Sequence, residues 1–280
     1  MIRLSKRAQF YIGIPIIFIF MFCSKGSSNP TVDPPEEEKE TLVKVMTYNI
    51  YGARAGGIPD LKEIAEVIKK ADPDLVALQE VDKFTDRNKQ NGDVAKELAA
   101  LTGMDYFFAK AINVHGGEYG DAVLSKLPVK EKKGFNLEVD PTLGGERRSV
   151  ARILVEKNDK EFYFISTHFD HLGDERNRIK QADDFTTLVK TFQKPVIVGS
   201  DFNALPNSNT MNILWSTFAS GCLNGNCSQF TFPTPTPNRT IDYLIYYPLE
   251  AFSTKLYSVF NWADKESDHY PVVATFKINP

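Results

Sequence analysis

The residues best suited to chemistry in this 280-residue chain share one placement: each stands at an end of a short apolar run typical of a β-strand. They are four carboxylates, two carboxamides and two imidazoles: Glu80, Asp201, Asp242, Asp268, Asn49, Asn203, His168 and His269. A single acid at a strand end is more often a turn residue or a helix cap. Because the placement recurs along the whole chain, it predicts one cleft on a rigid scaffold.

The mix of side chains indicates a hard cation and phosphoryl chemistry. Carboxylates, carboxamides and imidazoles without a paired cysteine suit Mg²⁺ or Mn²⁺ better than structural zinc. Hydrolysis of a phosphate ester needs charge neutralisation on the phosphoryl oxygens, an oriented water with a nearby base, and help for the leaving oxygen. These residue types supply all three.

The elements that must hold these residues are predicted by the period of the apolar positions. Strands are predicted over residues 43–50, 75–81, 122–124, 151–155, 162–167, 195–198, 241–246 and 272–278, and helices over 60–70, 94–101 and 176–192. Several strands between residues 122 and 167 follow one another without a helix, which excludes a doubly wound parallel sheet. We therefore expect an α+β fold, a four-layer α/β/β/α sandwich of two mixed, largely antiparallel sheets flanked by helices.

Seven short motifs occur in an order that resembles the endonuclease/exonuclease/phosphatase superfamily. They are TYNI, LQE, GDAVLSK, STH, GDFN, IDYL and SDHYP, and they span Lys44 to Phe276. The order and spacing of the motifs, more than any one of them, carry the resemblance. Members of the superfamily include pancreatic-type deoxyribonuclease, apurinic endonucleases, inositol polyphosphate 5-phosphatases and neutral sphingomyelinases. The resemblance implies a metal-dependent enzyme that hydrolyses phosphate esters with an activated water.

The resemblance also implies which residues hold the metal ion. Glu80, in LQE, is expected to be the main ligand, with Asn49 and Asp268 completing or orienting the metal shell. The expected ion is Mg²⁺, with Mn²⁺ as the alternative.

Further roles implied by the resemblance concern the water and the transition state. Asp201 is expected to orient or deprotonate the attacking water, and Asn203 to help bind the phosphate or the water. His269, polarised by Asp242, is expected to lie against the scissile phosphate. His168 is expected to hydrogen-bond a non-bridging oxygen and stabilise developing charge.

Four other residues are weaker candidates for substrate binding. Tyr119, in GGEYGDAVLSK, matches a position where some nuclease members place a phosphate-contacting aromatic residue. Arg148 and Arg87 are candidates for bidentate phosphate contacts, although an ordinary surface arginine looks the same in a sequence. Asp170, together with His171, extends the STH motif and is equally consistent with a structural role.

The N-terminal segment, residues 1–23, predicts export. Three basic residues precede an apolar run that is too short to span a bilayer comfortably. Cys23 at the end of this run resembles the lipid-attachment site of a bacterial lipoprotein, although the residues before it are bulkier than in that pattern. A cleaved signal or a short anchor is the alternative.

Residues 24–41 are rich in Ser, Pro and Glu and predict a flexible tether, which leaves 42–280 as the catalytic domain. We therefore expect a lipid-anchored protein at the outer membrane, the cell surface or the periplasm. In such an oxidising compartment Cys222 and Cys227 are expected to form a disulfide, and two unpaired thiols are the alternative.

The sequence leaves the substrate open. Without the three basic residues of 1–23, the chain has 30 basic and 36 acidic side chains, which does not favour a protein that coats nucleic acid. The basic cluster Lys126–Lys133 is typical of a solvated edge. Alternatives to a general phosphoester hydrolase are an extracellular nuclease acting on DNA or RNA and a sphingomyelinase-like phospholipid phosphodiesterase. Inositol phosphates are a further possible substrate, and we expect a monomer.

Two functions from other classes fit less well. An inactive surface binding lipoprotein is expected to have lost Glu80, Asp201 or His269, and none is replaced. A glycan hydrolase needs two carboxylates that flank a sugar, usually beside an aromatic platform, which the GDFN and SDH motifs do not suggest.

Overall fold

The computed structural model describes residues 40–55, 57, 60–223 and 227–280. The strands are β1 Leu42–Asn49, β2 Leu75–Lys83, β3 Asp105–Val114, β4 Gly117–Ser125, β5 Val129–Leu137, β6 Arg148–Lys157, β7 Lys160–His168, β8 Val196–Asp201, β9 Ala219–Ser220, β10 Asp242–Tyr247, β11 Phe252–Val259 and β12 Val272–Ile278. The helices are α1 Leu61–Ala71, α2 Val94–Thr102, α3 Arg176–Lys190 and α4 Asn209–Trp215. The predicted export segment 1–23 with Cys23, and most of the predicted tether, lie outside the described residues.

The strands form two six-stranded sheets, with orders β11-β12-β1-β2-β4-β3 and β5-β6-β7-β8-β10-β9. In each sheet one pair is parallel, β1 with β2 and β7 with β8. The remaining neighbours are antiparallel. The predicted α+β sandwich of two mixed, largely antiparallel sheets is therefore confirmed.

Three apolar layers hold the sandwich together. The outer faces of the two sheets pack against α1 and α2 on one side and against α3 and α4 on the other. Between the sheets lies a third layer that includes Val43, Val45, Phe162 and Phe164, all of which are buried. Full burial of one such side chain contributes about 1.5–3 kcal/mol.

The parallel pairs decide where the polar strand ends meet. β1 and β2 are joined through α1, so their carboxyl ends, with Asn49 and Glu80, lie at the same edge of the first sheet. In the second sheet the β7–β8 pair brings His168 opposite Asp201 in the same way. Asp242 begins β10 and pairs with Asp201 in the antiparallel register.

A buried polar layer joins the two sheets beneath this edge. Gln79 of β2 donates to Ser166 Oγ of β7 at 3.0 Å, and Ser166 donates back to the carbonyl oxygen of Leu78 at 2.8 Å. Gly199 lies in the same layer, where a Cβ atom would come within 2.8 Å of the Thr47 side chain. These contacts fix the first sheet relative to the second.

A second link in this layer is made by Asp121 of β4 and Ser149 of β6. The Ser149 hydroxyl accepts from the Asp121 amide at 3.1 Å and donates to the Asp121 carboxyl group at 2.5 Å. Burial raises the pKa of Asp121 to about 8. This carboxyl group is therefore protonated at neutral pH.

Three long strands and one helix were not predicted from the sequence: β3, β5, β11 and α4. The three strands lie at sheet edges, where much of each strand faces solvent and the apolar alternation is weak. β5 contains part of the Lys126–Lys133 cluster. Lys130 pairs with Glu161 at 2.8 Å, and the edge lysines keep this strand hydrated.

The predicted disulfide between Cys222 and Cys227 is confirmed, with Cα atoms 5.3 Å apart. Within the described ranges, no helix is long and apolar enough to cross a bilayer.

Candidate active site

A cavity of about 550 Å³ opens at the edge where the polar strand ends meet. Six of the eight strand-end residues line it: Glu80, His168, Asp201, Asn203, Asp268 and His269. The other two, Asn49 and Asp242, are buried and bond directly to residues that line it. The structure therefore brings all eight together.

The backbone at two of these positions has the left-handed conformation. Glu80 has a φ of 57° and lies where the pairing of β2 with β4 shifts register between Leu78 and Val81. Asn203, in the turn after β8, has a φ of 49°. Left-handed backbone is uncommon at residues other than glycine and asparagine, and at Glu80 it coincides with the irregular pairing of β2.

Asn49 joins the two sheets at the bottom of the cavity. Its Nδ2 donates to Glu80 Oε1 at 3.2 Å and to Asp201 Oδ2 at 3.0 Å. Its Oδ1 accepts from the backbone amide of Tyr51 at 3.0 Å, which fixes the orientation of the amide group. Asn49 thereby holds one carboxylate of each sheet in place.

Asp201 is a buried carboxyl group with an unusually high pKa. Burial and the nearby charge of Asp242 raise this pKa to about 7, against the opposing effect of His269. The Oδ1 atom accepts from the backbone amide of Asn203 at 2.8 Å. A carboxylate with this pKa is a suitable general base near neutral pH.

His269 and Asp242 form a buried ion pair. Nδ1 of His269 lies 3.0 Å from both carboxylate oxygens of Asp242, so Nδ1 carries a proton. Burial lowers the pKa of His269, but the Asp242 charge and hydrogen bond outweigh it and raise the pKa to about 10. Nε2 faces Asp201 Oδ2 at 3.7 Å. The imidazole is therefore a cation at neutral pH.

His168 is held as a neutral donor by Arg148. Nη1 of Arg148 lies 3.3 Å from His168 Nδ1, and Nη2 lies 3.2 Å from His171 Nδ1. Because a guanidinium group only donates, both Nδ1 atoms accept and the proton of each ring is on Nε2. Burial and the Arg148 charge lower the pKa of His168 well below its usual value.

Nε2 of His168 faces the Asp201 carboxylate and the Asn203 amide. It lies 3.4 Å from Asp201 Oδ2 and 2.9 Å from Asn203 Nδ2. Nδ2 of Asn203 already donates to the backbone carbonyl oxygen of Phe169 at 3.1 Å, so the Nε2 proton of His168 is directed at Asp201 Oδ2.

The sequence matches the model of the Endonuclease/Exonuclease/phosphatase family over residues 46–269. The chain belongs to this family. A curated relative, the protein YbhP of Escherichia coli (strain K12), is 26% identical over 185 residues, which cover 60% of this chain and 70% of YbhP.

Solved structures of the family share the fold. An endonuclease/exonuclease/phosphatase from Beutenbergia cavernae aligns with a TM-score of 0.70 and 22% identity, over 85% of this chain and 72% of that chain. A mannosyl-6-phosphatase from Bacteroides thetaiotaomicron aligns with a TM-score of 0.63 and 20% identity, over 84% of this chain and 99% of that chain. At this level of identity the comparison establishes the architecture.

Family members are phosphoester hydrolases that typically depend on a divalent metal, and the residues in the cavity fit such an ion. Glu80 and Asp268 both line the cavity, and burial raises the pKa of each. Glu80 forms no ion pair with any residue in the described part of the chain. Two partly buried carboxylates suit a hard cation, because its positive charge offsets the free-energy cost of burying their negative charges.

A second group of potential ligands is already satisfied by hydrogen bonding. Asp201, Asp242 and His269 each place one suitable atom within 4.8 Å of the others. However, His269 Nδ1 and the Asp242 oxygens bond to each other. The family resemblance implies that Asn49 either completes the metal shell or orients it. In the structure Asn49 donates to the carboxylates of Glu80 and Asp201, which corresponds to the orienting role.

The weaker substrate-binding candidates have different positions. Tyr119 lines the cavity, with the Arg87 guanidinium 5.2 Å from its ring centre. Arg87 also lines the cavity but is ion-paired with Asp82 at 2.8 Å. Arg148 is 2% exposed, and both its terminal nitrogens contact histidines.

Asp170 does not line the cavity, so the expectation that it binds substrate is corrected. It is fully buried and accepts from the backbone amide of Glu146 at 3.0 Å. Its carboxylate holds the loop before β6 in place. Of the two roles considered for Asp170, substrate binding and structural support, the structure favours structural support.

Sequence reasoning missed several residues that line the cavity, among them Arg178, Phe232 and Arg239. The Phe232 ring lies 4.6 Å from the His269 ring, and the Arg239 guanidinium lies 4.5 Å from the Phe232 ring centre. Both residues belong to a Pro- and Thr-rich stretch whose composition indicates only a loop. No local pattern distinguishes Arg178 from the other arginine in the first turn of α3.

Proposed function

We propose that this chain is an exported hydrolase that depends on Mg²⁺ and cleaves small phosphate esters with an activated water. The observation that carries this proposal is the convergence of Asp201, the His269–Asp242 pair and the Glu80–Asn49 pair on one cavity. A base, a cation and a metal ligand thereby face the same space, which is what phosphoryl hydrolysis requires.

In the proposed reaction Asp201 prepares the nucleophile. With a pKa of about 7 it is partly ionised at neutral pH and takes a proton from the attacking water. Asn49 and the Asn203 backbone amide hold its two oxygens, so the carboxylate keeps a fixed direction.

The two histidines act on the phosphoryl group. His269 is cationic and held by Asp242, so its Nε2 proton is directed at a phosphoryl oxygen. His168 is neutral and offers its Nε2 proton to a second oxygen. Donors fixed before the reaction stabilise the charge that develops in the transition state.

Glu80 and Asp268 would hold Mg²⁺, with Mn²⁺ as a substitute, and Asn49 would orient Glu80. The bound ion supplies charge neutralisation at the phosphoryl oxygens. Oxygen ligands without cysteine favour this class of ion.

A small substrate is favoured over a nucleic acid by two observations. A cavity of about 550 Å³ lies within the usual size range of small-molecule sites. In addition, the lysines at residues 126, 130 and 132 are paired with acids at the far edge of the fold rather than forming a free basic groove. The alternative is a nuclease or a phospholipid phosphodiesterase. The substrate panel below distinguishes these activities from hydrolysis of small phosphate esters.

Export and lipid attachment at Cys23 are part of the proposal. They are supported by the layout of residues 1–23 and by a Cys222–Cys227 disulfide that suits an oxidising compartment. Incorporation of labelled fatty acid into the full chain, and its absence in Cys23→Ala, tests the anchor.

The activity is tested with a panel of phosphate esters and Mg²⁺ or chelator. The panel contains p-nitrophenyl phosphate, bis-p-nitrophenyl phosphate, DNA, sphingomyelin and inositol phosphates. Asp201→Asn and His269→Ala are expected to lose at least about 100-fold in kcat/KM, as is typical when a base or a charge-stabilising group is removed. Asp174→Asn, an exposed acid outside the cavity, is the matched control and keeps full activity. Metal-independent turnover, or wild-type rates in either site variant, would contradict the proposal.

A further inference from the structure

Arg178 is a buried arginine that makes no direct ion pair with any of the described residues. It lines the active-site cavity and is 8% exposed. Nη1 donates to the backbone carbonyl oxygens of Asp170, at 3.1 Å, and of Leu172. Within the described ranges, its Nε finds no partner and no carboxylate forms an ion pair with it. Burial accordingly lowers the pKa of Arg178.

Two other arginines in the cavity are already paired, which sets Arg178 apart. Arg87 pairs with Asp82, and Arg148 pairs with Glu146 at 3.3 Å. Arg239 also has no acidic partner among the described residues, but it is exposed and lies over the Phe232 ring. A buried arginine without a direct ion-pair partner is costly, and an anion that reaches it lowers this cost.

His171 completes a corner of donors next to Arg178. Arg178 donates to the carbonyl oxygens of Asp170 and Leu172, the residues on either side of His171. The Arg178 side chain is therefore bound to the same short loop segment that carries His171. Because His171 Nδ1 accepts from Arg148, its ring proton is on Nε2. The corner therefore presents hydrogen-bond donors and a positive charge.

This corner is adjacent to the phosphoryl site. The same Arg148 guanidinium contacts His168 through Nη1 and His171 through Nη2. A group bound at the corner therefore lies close enough to a phosphate held by His168 for one small molecule to reach both. The acid on this wall, Glu146, is occupied by its pairing with Arg148.

We propose that Arg178 and His171 form a second anion subsite, so that the substrate is a small phosphate ester that carries another phosphate or a carboxylate a few bonds away. This inference rests on the proposed function for the phosphoryl site, and the subsite itself is a binding property. Arginine and a donor imidazole are well suited to an anionic oxygen pair.

The test compares substrates that differ in the second anionic group. Glycerol 1-phosphate has none, 3-phosphoglycerate has a carboxylate, and fructose 1,6-bisphosphate has a phosphate. Wild-type enzyme is expected to prefer at least one of the latter two in kcat/KM. In Arg178→Met and in His171→Leu this preference is expected to fall at least about 10-fold, as when a charge-assisted hydrogen bond is lost. A loss that is equal for all three substrates would indicate a purely structural role and overturn the inference.

The controls separate this inference from the proposed catalysis. Arg176→Met removes an exposed arginine of the same helix turn, paired with Asp174, and is expected to keep the wild-type preference. In the Asp201→Asn background, calorimetry measures binding of the same three compounds without hydrolysis. If esters are hydrolysed without preference for a second anion, the subsite is wrong and the proposed function stands. If no ester is hydrolysed but binding still shows a preference that requires Arg178, the subsite stands and the proposed catalysis is wrong.

Discussion

At the scale of single residues, the least expected feature is the arginine between two imidazoles. Arg148 is buried and contacts Nδ1 of His168 and of His171. A cation in this position lowers the pKa of His168 and selects one of its two neutral forms. In the proposed reaction Arg148 is thus a positioning residue, which would act on the phosphoryl group through His168.

This role predicts a spectroscopic change in Arg148→Met. The chain has four histidines, so two-dimensional ¹⁵N spectra of the imidazole groups are simple to assign. Wild-type His168 and His171 are expected to carry the proton on Nε2. Loss of the guanidinium group is expected to populate the Nδ1–H form and to raise the pKa of His168.

Arg147→Met is the matched control, because Arg147 is the adjacent arginine and donates to a backbone carbonyl oxygen. Its imidazole spectrum should match that of the wild type. Nε2–H forms that persist unchanged in Arg148→Met would show that the tautomers are set by something else.

The sequence predicted most of the polar residues that line the cavity, but it did not predict which residues they contact. Glu80 and His269 are marked by their position at strand ends, a local property. The role of Arg148 depends on contacts with residues 20 and 23 positions away, and Arg178 stands out only through the lack of a counter-charge. Neither property is encoded in a local pattern.

At the scale of elements, the site depends on the alignment of two sheets. Gln79 is fully buried and joins β2 to β7 and β8 through Ser166 and the Gly199 carbonyl oxygen. Its Oε1 accepts from Thr47 at 3.3 Å. The next residue along β2 is Glu80, so movement of this strand displaces the proposed metal ligand.

Gln79→Met is expected to lower the free energy of unfolding by about 1–3 kcal/mol, because buried polar groups lose their partners. Urea denaturation measures this change. Gln193→Met, at an exposed position, is the control and is expected to change stability by less than about 0.5 kcal/mol. Equal stability of the two variants would mean that the polar layer does not hold the sheets together.

The elements also show which part of the fold is visible in sequence. Central strands such as β1 and β8 are buried on both faces and give apolar runs that are easily recognised. The edge strand β5 is exposed along most of its length, and its pairing with β6 gives no local signal. Edge strands are determined by their neighbours more than by their own residues.

At the scale of the whole molecule, stability is coupled to pH through buried acids. The pKa of Asp121 is raised by burial from 3.8 to about 8. Between these two values the folded protein keeps a proton that the unfolded chain releases. Stability therefore falls as pH rises from about 4 to about 8, by at most about 1.4 kcal/mol per pH unit from this group.

Asp121→Asn is expected to remove this contribution. Its unfolding free energy relative to the wild type should increase between pH 5 and pH 8, by up to about 4 kcal/mol. Denaturant titration at both pH values measures the difference. Asp140→Asn is the control, because hydrogen bonds from Thr142 lower the pKa of this half-buried acid and it stays ionised throughout this range. A constant difference between Asp121→Asn and the wild type would refute the assignment.

The position of β1 has a consequence for how the molecule is made. β1 lies between β2 and β12, and Leu42 pairs with Lys277. The first sheet cannot be completed before β12 has been synthesised, because β1 pairs with a strand more than 200 residues later in the chain. Completion of this sheet therefore requires closure of a very long loop, which is typical of slowly folding topologies.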